Sequence, residues 1–176
     1  MKPILIENIR KFKDSRGSFY ESYKKSDLSS LGIDVDFVQD NQSTSRKNVI
    51  RGLHYQWDKP MGKLVRVSKG EILDAVVDIR ATSPNFGQVY LFFLSEDNLN
   101  QLWVPPGFAH GFSVLSHEAT VHYKCSSEYN KNGESGINPL DDTLKINWMV
   151  DYKNIIISDK DELSQSFLFY TDNPKF

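Results

Sequence analysis

From Leu64 onward the chain breaks into short runs of β-branched and aromatic residues, each closed by Gly, Pro or Asn. No other feature constrains the fold as strongly. Short strands at such spacing build a sandwich or a barrel and leave little room for helices. Residues 64–67 and 71–79 flank Ser68-Lys69-Gly70, which predicts a hairpin with a glycine turn. Residues 88–94, 112–115, 119–124 and 145–148 read as further strands. Ser83-Pro84-Asn85, Pro105-Pro106-Gly107 and Asn132-Gly133 mark turns between them. Helix signals are confined to residues 26–31, with Ser26 or Asp27 as N-cap and Gly32 as the stop, and to a turn within 159–165. The aromatic-bearing tail, 164–176, is expected to dock.

A chain of 176 residues with 39% hydrophobic content suits one domain, 1–176, with a core that needs no staples. Lys plus Arg number 21 against 23 Asp plus Glu, so no overall field favours nucleic acid or an anionic membrane. A local basic pocket for a small anion stays open. The single cysteine, Cys125, excludes an internal disulfide and a thiolate zinc site. The apolar run Pro3-Ile4-Leu5-Ile6 is too short for a signal-peptide core. No run approaches the ~18 apolar residues of a membrane span. A soluble, cytoplasmic protein is the expectation.

Polarity on a strand face is the first pointer to a site. In residues 71–79 one face carries Leu73, Ala75, Val77 and Ile79, while the other alternates Ile72 and Val76 with Asp74 and Asp78. A solvated face is the ordinary explanation for such carboxylates. Their apolar neighbours on the same face point instead to a cavity wall, and a barrel interior with a few polar groups is a typical small-molecule site. Two further clusters carry chemistry. Arg51-Gly52-Leu53-His54-Tyr55-Gln56 brings together a cation, an imidazole, a phenol and an amide. Pro105-Pro106-Gly107 leads rigidly into His110. His117 reads as a turn residue, and His122 is expected to point away from its neighbour Tyr123. A metal-binding barrel would need a His-x-His pair and a nearby Glu; here Gln56 and Lys63 stand at those places, so no metal is expected.

Taken in order, these motifs resemble the dTDP-4-dehydrorhamnose 3,5-epimerase family of cupins over nearly the whole chain. The resemblance begins at Phe12-Lys13-Asp14-Ser15-Arg16-Gly17, with Phe19 and Glu21, and at Phe37-Val38-Gln39-Asp40-Asn41. It continues through residues 51–56, Gly62-Lys63-Leu64-Val65-Arg66, and Val77-Asp78-Ile79-Arg80 with Ser83-Pro84. It ends with Gly107-Phe108-Ala109-His110-Gly111-Phe112, Tyr123-Lys124, Glu134 and Ser158-Asp159-Lys160-Asp161. It implies an all-β, cupin-like jelly-roll barrel with a few short helices, a homodimer, no metal or organic cofactor, and a nucleotide-linked 4-keto-6-deoxy sugar as substrate. By the same resemblance His54 is the base, Asp161 its orienting partner, Tyr123 the acid and Lys63 the enolate-stabilising cation. Arg51 and His110 line the sugar site. Arg16, Glu21, Gln39, Asn41, Glu134 and Lys160 hold the nucleotide, and Tyr129 stacks on its base. Arg16 and Glu21 are expected to serve a neighbouring subunit's site. Residues 138–140 and 162–164 depart from the family's usual pattern.

The chemistry asks for this set. A ketone at C4 acidifies the hydrogens at C3 and C5, so inversion needs a base on one face, an acid on the other and a positive charge at the carbonyl oxygen. A free His titrates near 6.5 and is largely neutral at cellular pH. A carboxylate on its other nitrogen fixes the tautomer and stabilises the imidazolium. Tyrosine, with an ordinary pKa near 10, is protonated and can donate. Without the resemblance, Asp161 reads as a surface residue, Tyr123 as a packed strand aromatic and Lys63 as an exposed hairpin lysine. A single-centre epimerase, a keto-isomerase, a metal-dependent cupin and a non-catalytic sugar-nucleotide binder are the competing readings.

Overall fold

The structure is a computed structural model describing residues 1–176. In chain order the strands are β1 (Ile4–Ile6), β2 (Lys11–Asp14), β3 (Gly17–Tyr20), β4 (Gln39–Arg46), β5 (Ile50–Gln56) and β6 (Lys63–Lys69). They continue as β7 (Glu71–Asp78), β8 (Val89–Ser95), β9 (Gln101–Val104), β10 (Phe108–Val114), β11 (Glu118–Cys125) and β12 (Glu134–Gly136). Three short helices complete the chain: α1 (Lys25–Ser30), α2 (Asp159–Glu162) and α3 (Phe167–Asp172). Two five-stranded sheets, β1-β9-β6-β11-β4 and β12-β5-β10-β7-β8, carry the fold, and β2 pairs only with β3. Every pairing within these sheets is antiparallel. This is the all-β architecture that the strand spacing implies and the jelly roll that the family resemblance implies.

Alternation along β7 sets the layers. Ile72 and Val76 face the other sheet and join Val65, Val67, Leu102, Phe108, Phe112 and Val121 in the core between the sheets. Ala75, Val77 and Ile79 face outward, yet they too are buried. The C-terminal segment covers them, packing Ile137, Leu144, Ile146, Trp148 and Tyr170 against the second sheet. A third cluster, Leu28 and Ile33 on Leu64 and Trp103, closes the outer face of the first sheet beneath α1. The tail docks as expected. Tyr170 is fully buried, and its hydroxyl donates to the carbonyl of Ile79 at 2.8 Å. Burying one such aromatic stabilises the fold by roughly 2–3 kcal/mol.

Three local expectations are corrected. β6 and β7 do not form a hairpin; they belong to different sheets. Gly70, at φ 77°, makes a corner rather than a two-strand turn, and its N–H donates to Glu96 Oε1 at 2.8 Å. Residues 145–148 do not form a strand. Lys145 and Met149 adopt left-handed backbone, and the groups of Trp148 bond to loop and strand side-on: its Nε1 donates to Pro139 O and its carbonyl accepts from Ser113 Oγ, both at 2.7 Å. The N-cap of α1 is Lys24, two residues before Ser26 and three before Asp27, the expected caps, and it makes no side-chain cap bond, although Gly32 (φ 77°) ends the helix as expected. No helix is long and apolar enough to cross a membrane.

Candidate active site

Between the sheets, at one end of the barrel, lies a cavity of about 470 Å³. That size accommodates a small organic ligand. Of the residues singled out from the sequence, Gln39, Asn41, His54, Lys63, His110, Tyr123, Tyr129 and Glu134 line it. The register explains why they converge. His54 on β5 lies opposite His110 on β10 and Gly136 on β12, while Tyr123 on β11 lies opposite Asn41 on β4 and Val65 on β6. The two histidines thus come from one sheet, and the lysine and tyrosine from the other.

Close backbone contact seats the histidines. A Cβ on Gly52 would meet Gly111 Cα and His110 O at 2.6 Å, and one on Gly111 would meet Arg51 O at 2.5 Å. Gly52 also sits at φ 110°. Only glycine lets β5 and β10 approach this closely.

His54 is half-buried and its Nε2 lies 2.6 Å from Asp161 Oδ1. Asp161 is buried on α2, behind the ring. Its second oxygen accepts the N–H of Gly52 at 3.1 Å. Burial by itself would raise the Asp161 pKa; the bonds from His54, Gly52 and Ser158 and the charge of His54 outweigh it and hold the carboxyl below its ordinary range. An ionised carboxylate on Nε2 holds the proton there and leaves the ring's other nitrogen basic.

Opposing shifts mark the other two groups. Burial pushes the Lys63 ammonium below the ordinary lysine range, against Cys125, Glu134 and Asp74. Burial pushes the Tyr123 phenol up, with Arg51 and Asn41 partly offsetting it. Tyr123 therefore keeps its proton at neutral pH. The Lys63 Nζ sits 6.0 Å from the centre of the Tyr123 ring.

At the mouth, Glu134 Oε2 accepts from Tyr129 Oη at 2.9 Å and from Lys160 Nζ at 2.6 Å. Burial opposes ionisation of Glu134, but these two partners and the nearby His54 hold its pKa low. Gln39 Oε1 accepts the backbone N–H of Tyr129 at 2.9 Å. Gln56, which the sequence offered as the amide of the 51–56 cluster and a poor metal ligand, clamps the same loop: its Nε2 donates to Glu128 O and its Oε1 accepts from Asn130 N. Residues 128–130 are thereby fixed over the mouth. Phe108, which the sequence offered only as part of the motif around His110, and Met61, which no sequence signal singled out, also line the cavity.

Five of the expected residues stand off the wall: Asp161, which lies behind His54, and four more. Lys160 reaches the site only through Glu134, and Arg51 is exposed with its Nε donating to Ser45 Oγ at 2.9 Å. Arg16 lies at the tip of the β2–β3 ribbon, its side chain 88% exposed and paired with Asp14. Glu21 borders a separate shallow depression beside Tyr23 and Leu28. Neither Arg16 nor Glu21 lines the cavity of its own chain. His122 points away from Tyr123, as expected, and its Nε2 lies 2.8 Å from Ser68 Oγ. No group of three or more His, Cys, Asp or Glu side chains is placed to hold a metal ion.

A jelly-roll barrel that brings a carboxylate-held imidazole, a protonated phenol and a lysine into one cavity defines a cupin-type barrel with a candidate acid–base site. The family profile described as dTDP-4-dehydrorhamnose 3,5-epimerase matches residues 1–168. The chain is 47% identical over 167 residues to a dTDP-4-dehydrorhamnose 3,5-epimerase of Shigella flexneri, covering 94% of this chain and 91% of the relative. It is 45% identical to that of Methanothermobacter thermautotrophicus, over 85% of this chain and 82% of the relative. Among solved structures, a Legionella pneumophila dTDP-6-deoxy-D-glucose-3,5-epimerase in complex with dTDP-4-keto-L-rhamnose superposes with a TM-score of 0.89 at 45% identity, covering 93% of this chain and 87% of that one. A 3'-monoepimerase from Streptomyces bikiniensis in complex with dTDP-quinovose reaches the same TM-score at 29% identity, covering 97% and 86%. This chain belongs to the dTDP-4-dehydrorhamnose 3,5-epimerase family.

Proposed function

We propose that the protein epimerises dTDP-4-dehydro-6-deoxy-D-glucose at C3 and C5 to give dTDP-4-dehydro-L-rhamnose. The observation that carries this reading is His54, held 2.6 Å from the buried Asp161, in the same cavity as Tyr123 and Lys63. His54 takes the proton from the carbon beside the ketone. Asp161 stabilises the imidazolium that results. Lys63 faces the carbonyl oxygen as it becomes an enolate; where water is excluded, such a charge contributes a few kcal/mol (about 3). Tyr123 returns a proton to the opposite face. Once His54 has given its proton to solvent and Tyr123 has taken one back from it, the same steps repeat at the second carbon, and no net oxidation or reduction occurs. Gln39, Asn41, Tyr129 and Glu134 hold the nucleotide at the mouth, with Lys160 adding positive charge beside it, while Arg51 and His110 serve the sugar.

The proposal includes a homodimer and a cytoplasmic location. The β2–β3 ribbon supports the dimer: its cross-strand pair Phe12 and Phe19 is 48% and 66% exposed, which favours a second copy as cover. Arg16 then reaches the partner's mouth rather than its own. Sedimentation equilibrium of the protein and of the Phe12→Ser, Phe19→Ser variant tests this; a monomer in both sinks it.

The reaction is tested by incubating the protein with the 4-keto nucleotide sugar in deuterated water and reading mass and proton spectra. Two deuterons, at C3 and C5, with inverted couplings are expected. One deuteron would make it a monoepimerase, like the Streptomyces relative. His54→Ala is expected to exchange neither position, and exchange at the normal rate would remove His54 from the base role.

A further inference from the structure

The carboxylate that orients His54 sits on a helix that apolar packing does not hold. α2 spans four residues, Asp159–Glu162, and its only buried side chain is Asp161 itself. A helix this short has no stability of its own. Leu163, next in the chain, is 84% exposed, so no apolar anchor follows. Hydrogen bonds from neighbouring elements therefore decide where Asp161 stands.

Asn138, just after β12, makes two of these bonds. Its backbone N–H donates to Gln165 O at 2.9 Å, and its Nδ2 donates to Glu162 O at 2.7 Å. Its Oδ1 accepts the N–H of Leu140 at 2.8 Å, which turns the amide so that its donor faces α2. The residue before it, Ile137, exchanges both backbone bonds with Leu53, at 2.9 and 3.2 Å. These contacts close a ring. His54 follows Leu53, Asp161 precedes Glu162, and the pair meets at 2.6 Å. The chain is tightly seated here: a Cβ on Gly136 would meet Ser164 Oγ at 2.8 Å and Leu53 O at 3.0 Å. Two other links reach the region. Lys160 Nζ meets Glu134 through an exposed lysine, a kind of pair that contributes little in water, and Gln165 Nε2 donates to Tyr55 Oη beyond the end of α2. Asn138 is the side chain from the β5–β12 side that grips the helix backbone itself.

We propose that Asn138 is a positioning residue: by tying the Glu162 carbonyl to the β5–β12 side, it keeps Asp161 at hydrogen-bond distance from His54. This rests on the reading of His54 as the base. Without the bond α2 is free to tilt from β5, and small misplacements of a reacting group are costly. One neutral hydrogen bond limits the loss to about three- to tenfold in kcat. Asn138 does not line the cavity, so binding of the sugar nucleotide is left alone.

The test compares three variants. Asn138→Asp and Asn138→Ser keep an acceptor for the Leu140 N–H but lose the bond to Glu162 O, because an ionised aspartate has no donor and a serine is too short. Asn138→Ala loses both bonds. Each is expected to lower kcat about three- to tenfold, measured well below Tm, with KM within about twofold of normal. On the protein without substrate, the downfield proton signal of His54 Nε2–H, identified by its loss in His54→Ala, should exchange with water about threefold faster or more in each variant. Normal kcat in the aspartate and serine variants, with a loss confined to alanine, would leave Asn138 only the 138–140 turn and overturn the proposal. An unchanged His54 proton in the variants overturns it too, even beside a lower kcat. A faster-exchanging His54 proton beside an unmoved kcat upholds the link to Asp161 and overturns the base assignment of His54 instead.

Discussion

Replacing Asp161 by Asn removes one charge and changes no heavy-atom shape, which makes the outcome calculable. Both carboxylate oxygens accept: Oδ1 from His54 Nε2 at 2.6 Å and Oδ2 from the Gly52 N–H at 3.1 Å. An amide has one acceptor and one donor, so it cannot serve both. If its oxygen keeps Gly52, its NH2 faces His54 Nε2 and drives the ring proton to the other nitrogen. The base is then in the wrong tautomer. If its oxygen keeps His54, a donor faces the buried Gly52 N–H, and the charge that stabilises the imidazolium is still gone. Losses for such a change in a histidine–carboxylate pair reach about 10⁴-fold in kcat. Allowing for the half-exposed ring, we expect a fall of about 10²–10⁴, or roughly 3–5 kcal/mol of transition-state stabilisation. The unsatisfied N–H adds a loss of about 1–3 kcal/mol in stability, which lowers Tm by about 3–10 °C. The assay is deuterium uptake at C3 and C5 under saturating substrate, beside a thermal melt. Uptake in Asp161→Asn at the normal rate, or a change confined to KM, would refute the assignment of Asp161 as the group that orients the base.

Tyr123→Phe should reduce net epimerisation more than it reduces exchange on the His54 side; equal loss of both, in the same deuterium assay, would give Tyr123 another role. Arg80→Ala should destabilise the fold by about 3 kcal/mol at neutral pH, because Asp78 is fully buried and its partners are Arg80 at 2.5 Å and Ser83 at 2.7 Å. Burial would raise the Asp78 pKa, but Arg80 and Ser83 bring it below the ordinary value, so the pair's contribution is present above about pH 4 and lost as pH falls through the folded value. Chemical denaturation should therefore show the Arg80→Ala deficit shrinking in acid, and a deficit that grew instead would contradict the sign. Gly111→Ala should cost kcat more than a surface Gly→Ala change would, since the new Cβ meets Arg51 O at 2.5 Å and must push β5, with His54, away from β10; unchanged activity with a normal Tm would show that the strands can part without moving the base.

Legibility in the sequence followed side-chain patterning. β7, β8 and β11 were readable because apolar or aromatic residues recur with the period of a strand. β4 was not, because its eight residues, Gln39–Arg46, contain no apolar residue at all. Eight register pairs with β11 make it a strand. Residues 145–148 failed the other way: buried Ile146 and Trp148 alternate like strand residues, but they pack as irregular chain on the outer face of a sheet. The β6–β7 hairpin failed because a glycine between two strands looks the same whether the chain folds back or turns a corner into another sheet.

The sequence by itself determined the all-β class, the tail's docking, the mixed-polarity face of β7 and, through its ordered motifs, the family. Those properties are written in local order, in composition along a strand and in spacing between motifs. Only the tertiary structure decided that Asp161, which reads locally as one more charge on a surface turn, is buried 2.6 Å behind a histidine 107 positions away. It likewise decided that Arg16 and Glu21 stay off their own chain's cavity, and that Asp74 meets His110. The physical reason is common to all three. Burial and charge pairing depend on which strands and helices stack against one another, and residues far apart in the chain settle that together.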